Sequence, residues 1–245
     1  MKTTPVLSLL IISVLLISAC QKEIKTKLVE FPDTEYNILA PYDSATGLPK
    51  TLEKQPVTAD LLAFIQKTLR DGQDLRQTNP GLLSSNTTTD LRITQRSTVT
   101  ITYLTSSTRH GNAIAFYTYP TATPPKNPKE IKSITYVLPS TGAYTKLEPG
   151  STVTIGMFEP GTSIGLVLLK DAWQAQSGSL NNKAVHYCYN DALNPEIDPN
   201  LKKHVVLVPY QPEDKILIGF EDIDRTASEC DHDFDDVVLY ATIKN

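Results

Sequence analysis

The sequence predicts an all-β fold, a jelly-roll-like antiparallel β-sandwich of about nine strands carrying one short N-terminal helix. Three observations predict it. The chain has 245 residues, enough for one sizeable domain with flanking segments. Beyond Leu91 it breaks into short runs, alternating or fully apolar, separated by turn residues. Helical periodicity is sustained in one place, between Thr58 and Arg70.

Taken in order, residues 1–19 read as a secretory signal: a lone Lys2, an apolar run from Val6 to Ile17, and the small-residue step Ser18-Ala19 before Cys20. The run falls short of the roughly 20 apolar residues that a membrane-crossing helix needs, so cleavage is favoured over a retained anchor. Ile17-Ser18-Ala19-Cys20 resembles a bacterial lipobox. That likeness implies that Cys20 becomes the lipidated first residue and tethers the chain to a membrane, each buried acyl CH₂ contributing about 0.8 kcal/mol. Gln21 stands where an aspartate would signal inner-membrane retention, so the likeness implies an outer-membrane or cell-surface address after export.

Residues 20–57 carry charge, Pro32, Pro41, Pro49 and Pro56, and no sustained period, which suits a spacer. Residues 58–90 then form a short helix and a loop. Thr58 is placed to cap, Asp60 lies in the first turn, Leu61, Ile65 and Leu69 recur every four residues, and Gly72 stops the helix. The polar stretch from Thr78 to Asp90 is the loop.

Residues 91–245 are the sandwich. The expected strands are Leu91 to Leu104 with a break near Gln95 to Ser97, Ala113 to Tyr119, Ile131 to Leu138, Thr152 to Phe158, Ser163 to Lys170, Ala184 to Tyr189, His204 to Pro209, Lys215 to Phe220, and Asp236 to Ile243. Alternation directs Val153, Ile155, Ile164, Leu166, Leu168, Val206, Val208, Ile216, Ile218, Val237 and Leu239 into the core, and some strands are apolar on the other face too.

Charge and cysteine usage exclude several classes. A net charge of -4, a pI near 5.6 and no Lys/Arg block argue against nucleic acid and against a polybasic membrane patch. Three scattered cysteines without a Cys-x-x-Cys pair do not make a metal finger. With Cys20 consumed by lipid, Cys188 and Cys230 are an even pair in an oxidising compartment, where a disulfide is the expectation. Closing that loop is worth about 4 kcal/mol in the chain-entropy model. Two buried free thiols are the alternative.

The acidic residues are concentrated. Between Glu213 and Asp236 there are ten carboxylates, offset by Lys215 and Arg225 alone. If the segment from Asp231 is extended, Asp231, Asp233 and Asp235 share one face, and a bend at Asp235-Asp236 brings all four aspartates around one point. Two carboxylates about 5 Å apart repel by roughly 3 kcal/mol at an effective dielectric near 20. Calcium removes that cost, because it accepts six to eight oxygen ligands in a tolerant geometry; magnesium keeps its waters, and zinc prefers His and Cys. An EF-hand is ruled out, since one starting at Asp231 would need glycine at Asp236 and glutamate at Thr242. A solvated acidic hairpin whose carboxylates cap turns is the competing reading.

Ile218-Gly219-Phe220-Glu221-Asp222-Ile223 followed by Asp231-His232-Asp233-Phe234-Asp235-Asp236-Val237-Val238 resembles the C-terminal signature of the LruC-type domain, found in bacterial surface and secreted proteins and without assigned function. Gly161 to Trp173, Asn194-Pro195 and the strand at His204 follow in that family's order, so the likeness spans about 150 residues. It implies a β-sandwich with an acidic, calcium-binding edge. Carried over by position, Glu221, Asp222, Asp231, Asp233 and Asp236 match its acidic residues, and Asp235 replaces its usual asparagine without loss of a coordinating oxygen. The candidate metal ligands are therefore Glu221, Asp222, Asp231, Asp233, Asp235 and Asp236.

Three functions compete. The first is a non-catalytic, membrane-tethered surface module that binds calcium and presents loops to a glycan or protein ligand, with Trp173, Tyr117, Tyr119, Tyr187 and Tyr189 as a contact surface unless they are packing residues. The second is a glycan-directed hydrolase using Glu221 and an aspartate as acid and base. Cys188 beside His186 lacks the third group that a nucleophilic arrangement needs. The third is a purely structural envelope lipoprotein. Whether any catalysis occurs stays open at this level, with the non-catalytic reading ahead.

Overall fold

Regular alternation from residue 91 onward closes into two stacked sheets. The computed structural model describes residues 29–84 and 90–245. The signal segment and Cys20 lie outside the described residues. The strands are β1 (Glu35–Ile38), β2 (Glu53–Lys54), β3 (Leu91–Arg92), β4 (Ser97–Thr105), β5 (Gly111–Pro120), β6 (Ser133–Gly142), β7 (Ser151–Phe158), β8 (Thr162–Lys170), β9 (Trp173–Gln174), β10 (Ser179–Leu180), β11 (Val185–Cys188), β12 (Val205–Tyr210), β13 (Lys215–Phe220) and β14 (Val237–Lys244), with helices α1 (Ala59–Thr68) and α2 (Leu75–Thr78). The predicted runs become β4 to β8 and β11 to β14, and the break near Gln95 separates off β3. No helix among the described residues is long and apolar enough to cross a membrane.

One sheet runs β1-β6-β5-β8-β11, with β3 also on β8; the other runs β12-β13-β14-β4-β7-β2. Every pairing is antiparallel except β1 with β6, which is parallel. Between the sheets lies a core that includes Val99, Ile101, Ile114, Val153, Ile164, Leu166, Leu168, Ile218, Phe220, Val237 and Leu239. Alternate residues of the first sheet, Ala113, Ala115, Tyr117, Val167 and Leu169, form a second cluster on its outer face with Phe31 and Ile131.

The outer face of the second sheet is covered by the helices. Thr58 caps α1 by accepting from Leu61 N, and Leu61, Ile65, Leu69 and Leu75 pack on Leu104, Val206, Val208, Leu217, Val238 and Tyr240. This corrects one expectation. Val206 and Val208 face the helix, and their neighbours Val205 and Leu207 face the inter-sheet core. Both faces of β12 are apolar because both are covered.

Residues 35–38 and 53–54, inside the stretch read as a spacer, are edge strands on the sandwich. Phe31 stacks on His186 at 4.4 Å, and Tyr36 Oη lies 2.8 Å from His186 Nε2. The expected disulfide is absent: Cys188 and Cys230 are both free, buried thiols. Cys188 is embedded in the second apolar cluster, whereas Cys230 sits in the acidic loop with Sγ 3.3 Å from His232 Nδ1. Burial pushes both thiols well above their usual range. Trp173, Tyr117, Tyr187 and Tyr189 are packing residues rather than a contact surface, since all four are buried.

Ile65, 4% exposed, joins α1 to the sheet. Its replacement by alanine is expected to cost about 2 to 5 kcal/mol, measured as a lower denaturation midpoint in urea with an unchanged slope.

Candidate metal centre

The acidic residues lie in the connection between β13 and β14, and strand register explains why they meet. Phe220 pairs with Val237, the last pair of that ladder. One step further along the same register, Glu221 comes opposite Asp236, and their carboxyl groups hydrogen-bond to each other. Asp222 N donates to Asp236 Oδ2 at 2.6 Å. Asp222 Oδ2 accepts from Thr108 Oγ1 and Asn112 Nδ2, both at 2.5 Å.

The backbone of Glu221 is pinned by His204, the residue before β12. Its N–H donates to the His204 carbonyl at 2.9 Å, and its own carbonyl accepts from His204 Nδ1 at 2.8 Å. His204 Nε2 faces Glu196 Oε1 at 2.7 Å, with both side chains fully buried, and the Tyr187 ring stacks on the imidazole at 3.9 Å. That arrangement holds Glu221 in one place without touching its carboxylate.

Residues 230–236 are not extended, which corrects the expected alternation of faces. His232 and Phe234 have φ of 60° and 62°, the left-handed region, so the chain turns between successive aspartates. Packing sustains that strain. Phe234 is fully buried in the helix-facing cluster, and Arg225 lies over its ring at 5.2 Å while donating to His232 Nδ1 and the Lys203 carbonyl. The Phe234 carbonyl rests on Gly219, where a Cβ would approach it to 2.5 Å. Glycine before Phe220-Glu221-Asp222 is therefore required by close approach.

The far side of the loop is held by the turn between α1 and α2. Gly72 N donates to Asp233 Oδ2 at 2.6 Å, and Leu75 N donates to the His232 carbonyl at 3.0 Å. The same turn supplies Asp71, so that carboxylate oxygens of Asp71, Asp231 and Asp233 all lie within 4.8 Å of one another. Ser107 Oγ donates to Asp71 Oδ1 at 3.3 Å.

All six predicted ligands are thus in one loop, and five of them, all but Asp231, are buried. That burial removes the solvated half of the competing reading, but its turn-capping half holds: Asp233 accepts from Asp235 N and Gly72 N, Asp236 from Asp222 N, and Glu221 from Ile223 N. Asp71 was not foreseen, since only the glycine stop beside it marked the position and nothing in the sequence links it to residues so distant. Glu221 Oε2 and Asp222 Oδ1 have no hydrogen-bond partner among the described residues, although both side chains have zero exposure. Asp191 Oδ1 and Glu196 Oε2 are likewise buried without a hydrogen-bond partner among the described residues, although Lys203 lies 3.3 Å from Asp191 Oδ2 and His204 lies 2.7 Å from Glu196 Oε1.

Desolvation and mutual repulsion push these carboxyls upward: Asp233 to about 6, Glu221 to about 7, Asp235 to about 8 and Asp236 to about 10. The neighbouring charges differ. Asp236 feels Asp222 and Glu221; Asp235 feels Asp233, Asp71 and Asp231; Glu221 feels Asp231 and Asp233. His232 offers no proton-transfer partner, because burial and Arg225 lower it to about 4. Nor does His186 activate Cys188, since its two ring nitrogens face Tyr36 Oη and the Ala184 carbonyl.

A family model for a domain of unknown function (DUF4114) matches residues 158–244, a span that runs from the end of β7 through β14 and contains the whole acidic loop. No curated protein and no solved structure matches the chain.

Folded-state values above the unfolded ones mean that these carboxyls stabilise the fold while protonated and cease to do so as pH rises through the folded values. Without divalent cations, the melting temperature is expected to fall from about pH 4, where these carboxyls ionise in the unfolded chain, to about pH 10, most steeply below about pH 7, by roughly 5 °C or more. Millimolar calcium is expected to flatten that dependence, as read by calorimetric melts with and without a chelator.

Proposed function

We propose that the protein is a calcium-binding, non-catalytic module of a lipid-anchored bacterial surface protein. The observation that carries this reading is the convergence of Asp71, Asp231 and Asp233, whose carboxylate oxygens lie within 4.8 Å of one another. None of the three makes an ion pair among the described residues. Two oxygens on opposite sides of a calcium ion, each at about 2.4 Å, are about 4.8 Å apart, so one ion can serve all three. The Glu221 carboxyl, one oxygen of which is buried without a partner among the described residues, feels the charge of Asp231 and Asp233. Asp222, Asp235 and Asp236 add further carboxyl oxygens to the same connection between β13 and β14. The donor set is all oxygen, which favours calcium over zinc, since His232 Nδ1 is already engaged by Arg225.

The non-catalytic part rests on Glu221. Its side chain is fully buried and is hydrogen-bonded to Asp236. Glycosidase carboxyls stand about 5 Å apart or more, with the sugar between them. The matched span, the Ile218–Ile223 segment and the Asp231–Val238 segment support grouping the C-terminal part with LruC-type domains. The lipobox-like residues before Cys20 support an anchor in the outer membrane or at the cell surface. Clefts of about 680 and 700 Å³ meet at Asp71, Ser106 and Ser107, leaving room beside the ion for a glycan or protein ligand.

Calorimetric titration of calcium into the full-length protein in detergent is expected to give saturable heat and a higher melting temperature. Asp71→Asn combined with Asp231→Asn is expected to weaken binding at least about tenfold, a loss of about 1.4 kcal/mol. No heat and no change in melting would remove the metal from the function.

A further inference from the structure

β11 is an open edge of its sheet, bonded to β8 on one side and to no strand on the other among the described residues. Tyr189 N donates to the Leu166 carbonyl at 2.9 Å. In an antiparallel ladder every second residue bonds to the same neighbour, so Tyr187 and Val185 also face β8, while His186 and Cys188 present their backbone groups to the open side. The chain itself closes the positions on either side of His186. Asn194 stands in for a strand at Cys188, its Oδ1 accepting from Cys188 N at 2.6 Å and its Nδ2 donating to the Cys188 carbonyl at 2.8 Å. At Ala184 the carbonyl accepts from His186 Nδ1 at 2.8 Å, and the N–H donates to the Asn181 carbonyl at 3.2 Å. Between them, the backbone N–H and C=O of His186 have no hydrogen-bond partner among the described residues, although the residue is buried. Buried backbone groups are rarely left unpaired in a folded protein.

Two clefts of about 530 and 470 Å³ border this edge and share Val29, Lys183, Ala184 and His186. Pro195, Ile223 and Ala227 give the larger one apolar surface. Its carboxylates are engaged by the chain. Asp171 meets His110 Nδ1 at 2.8 Å and accepts from Gly111 N, Asp224 accepts from Thr226, and Glu229 accepts from Ser228. Its lysines are not engaged. Lys170, opposite Val185 in the ladder, and Lys183 make no ion pair and no side-chain hydrogen bond among the described residues. The unanswered groups along the edge are therefore one backbone donor and acceptor and two ammonium groups. A ligand that answers all of them has an extended backbone and carries a carboxylate.

We propose that this edge binds an extended acidic peptide segment of another protein, which pairs with His186 as a short added strand and directs a carboxylate towards Lys170 and Lys183. With Ala184 and Cys188 closed, a long strand finds a single bonding position on β11. Contacts with Pro195, Ile223, Ala227 and the two lysines supply the rest of the hold. That combination disfavours the sheet edge of a second copy and admits a short segment held by its side chains. The site does not depend on a cation in the acidic loop.

The test is fluorescence anisotropy of the full-length protein in detergent with two labelled short peptides, one alternating valine with glutamate and one alternating valine with lysine. Hydrogen exchange at the His186 amide is followed on the same samples. The expected result is saturable binding of the glutamate peptide, at least about tenfold tighter than the lysine peptide, with slowed exchange at His186. Lys170→Glu combined with Lys183→Glu should weaken that binding at least about tenfold with an unchanged melting temperature, and Lys170→Arg with Lys183→Arg should retain it. Methylating every peptide nitrogen should also weaken it about tenfold. No binding of the glutamate peptide overturns the proposal, and equal binding of the lysine peptide overturns the acidic class. Binding that leaves His186 exchange unchanged, or that survives methylation, overturns the strand pairing. Sedimentation as a dimer with His186 protected and no peptide bound overturns it in favour of a second copy. Binding that appears only when residues 20–28 are replaced by glycine and serine overturns it in favour of the chain's own N-terminal segment.

Discussion

A hairpin register places two carboxyl groups face to face in a low-dielectric interior. Phe220 and Val237 must pair because both belong to the inter-sheet core, and that pairing leaves Glu221 no position except opposite Asp236. Like charges directly across a ladder are unfavourable, and here neither is offset by an arginine or lysine ion pair among the described residues. The surrounding structure fits that constraint. His204 fixes the Glu221 backbone, Asn112 and Thr108 hold Asp222, and the loop beyond gathers further carboxylates while its one buried cation, Arg225, is turned to His232 and the Lys203 carbonyl.

The same loop fastens the helical layer to the sandwich. Its two attachments to the turn after α1 join residues about 160 positions apart, such as Gly72 and Asp233. Contacts of that separation are slow to form, and the loop they stabilise contains two non-glycine residues in the left-handed region. Arg225 and Phe234 keep it there by burial and stacking. Helix docking and the shape of the acidic site are in this way one cooperative feature.

Much of the fold was legible because period-two burial writes itself plainly into strands covered on one face. The helix from Thr58 was legible for the equivalent reason at its own period. Val206 and Val208 could not be assigned to a face, since both sides of β12 are apolar. β1 and β2 escaped notice because they are short and mostly exposed, carrying no pattern beyond their own few residues. In the acidic site the residues were legible and their conformation was not: left-handed φ at His232 and Phe234 is imposed by tertiary packing and has no glycine to announce it. Even-numbered cysteines suggested a bridge, but Cys188 is committed to an apolar cluster and Cys230 to the loop.

The strands that end each sheet bear on how the protein behaves at high local concentration. β1 has four residues beginning with Glu35, and β2 is only Glu53 and Lys54, with Lys54 paired to Glu148. β11 is also four residues long, and β12 carries Pro209, which lacks a backbone donor. Short, charged or proline-bearing rims give a neighbouring chain little backbone to template against. At these four strands, pairing edge to edge with a neighbouring copy is therefore disfavoured.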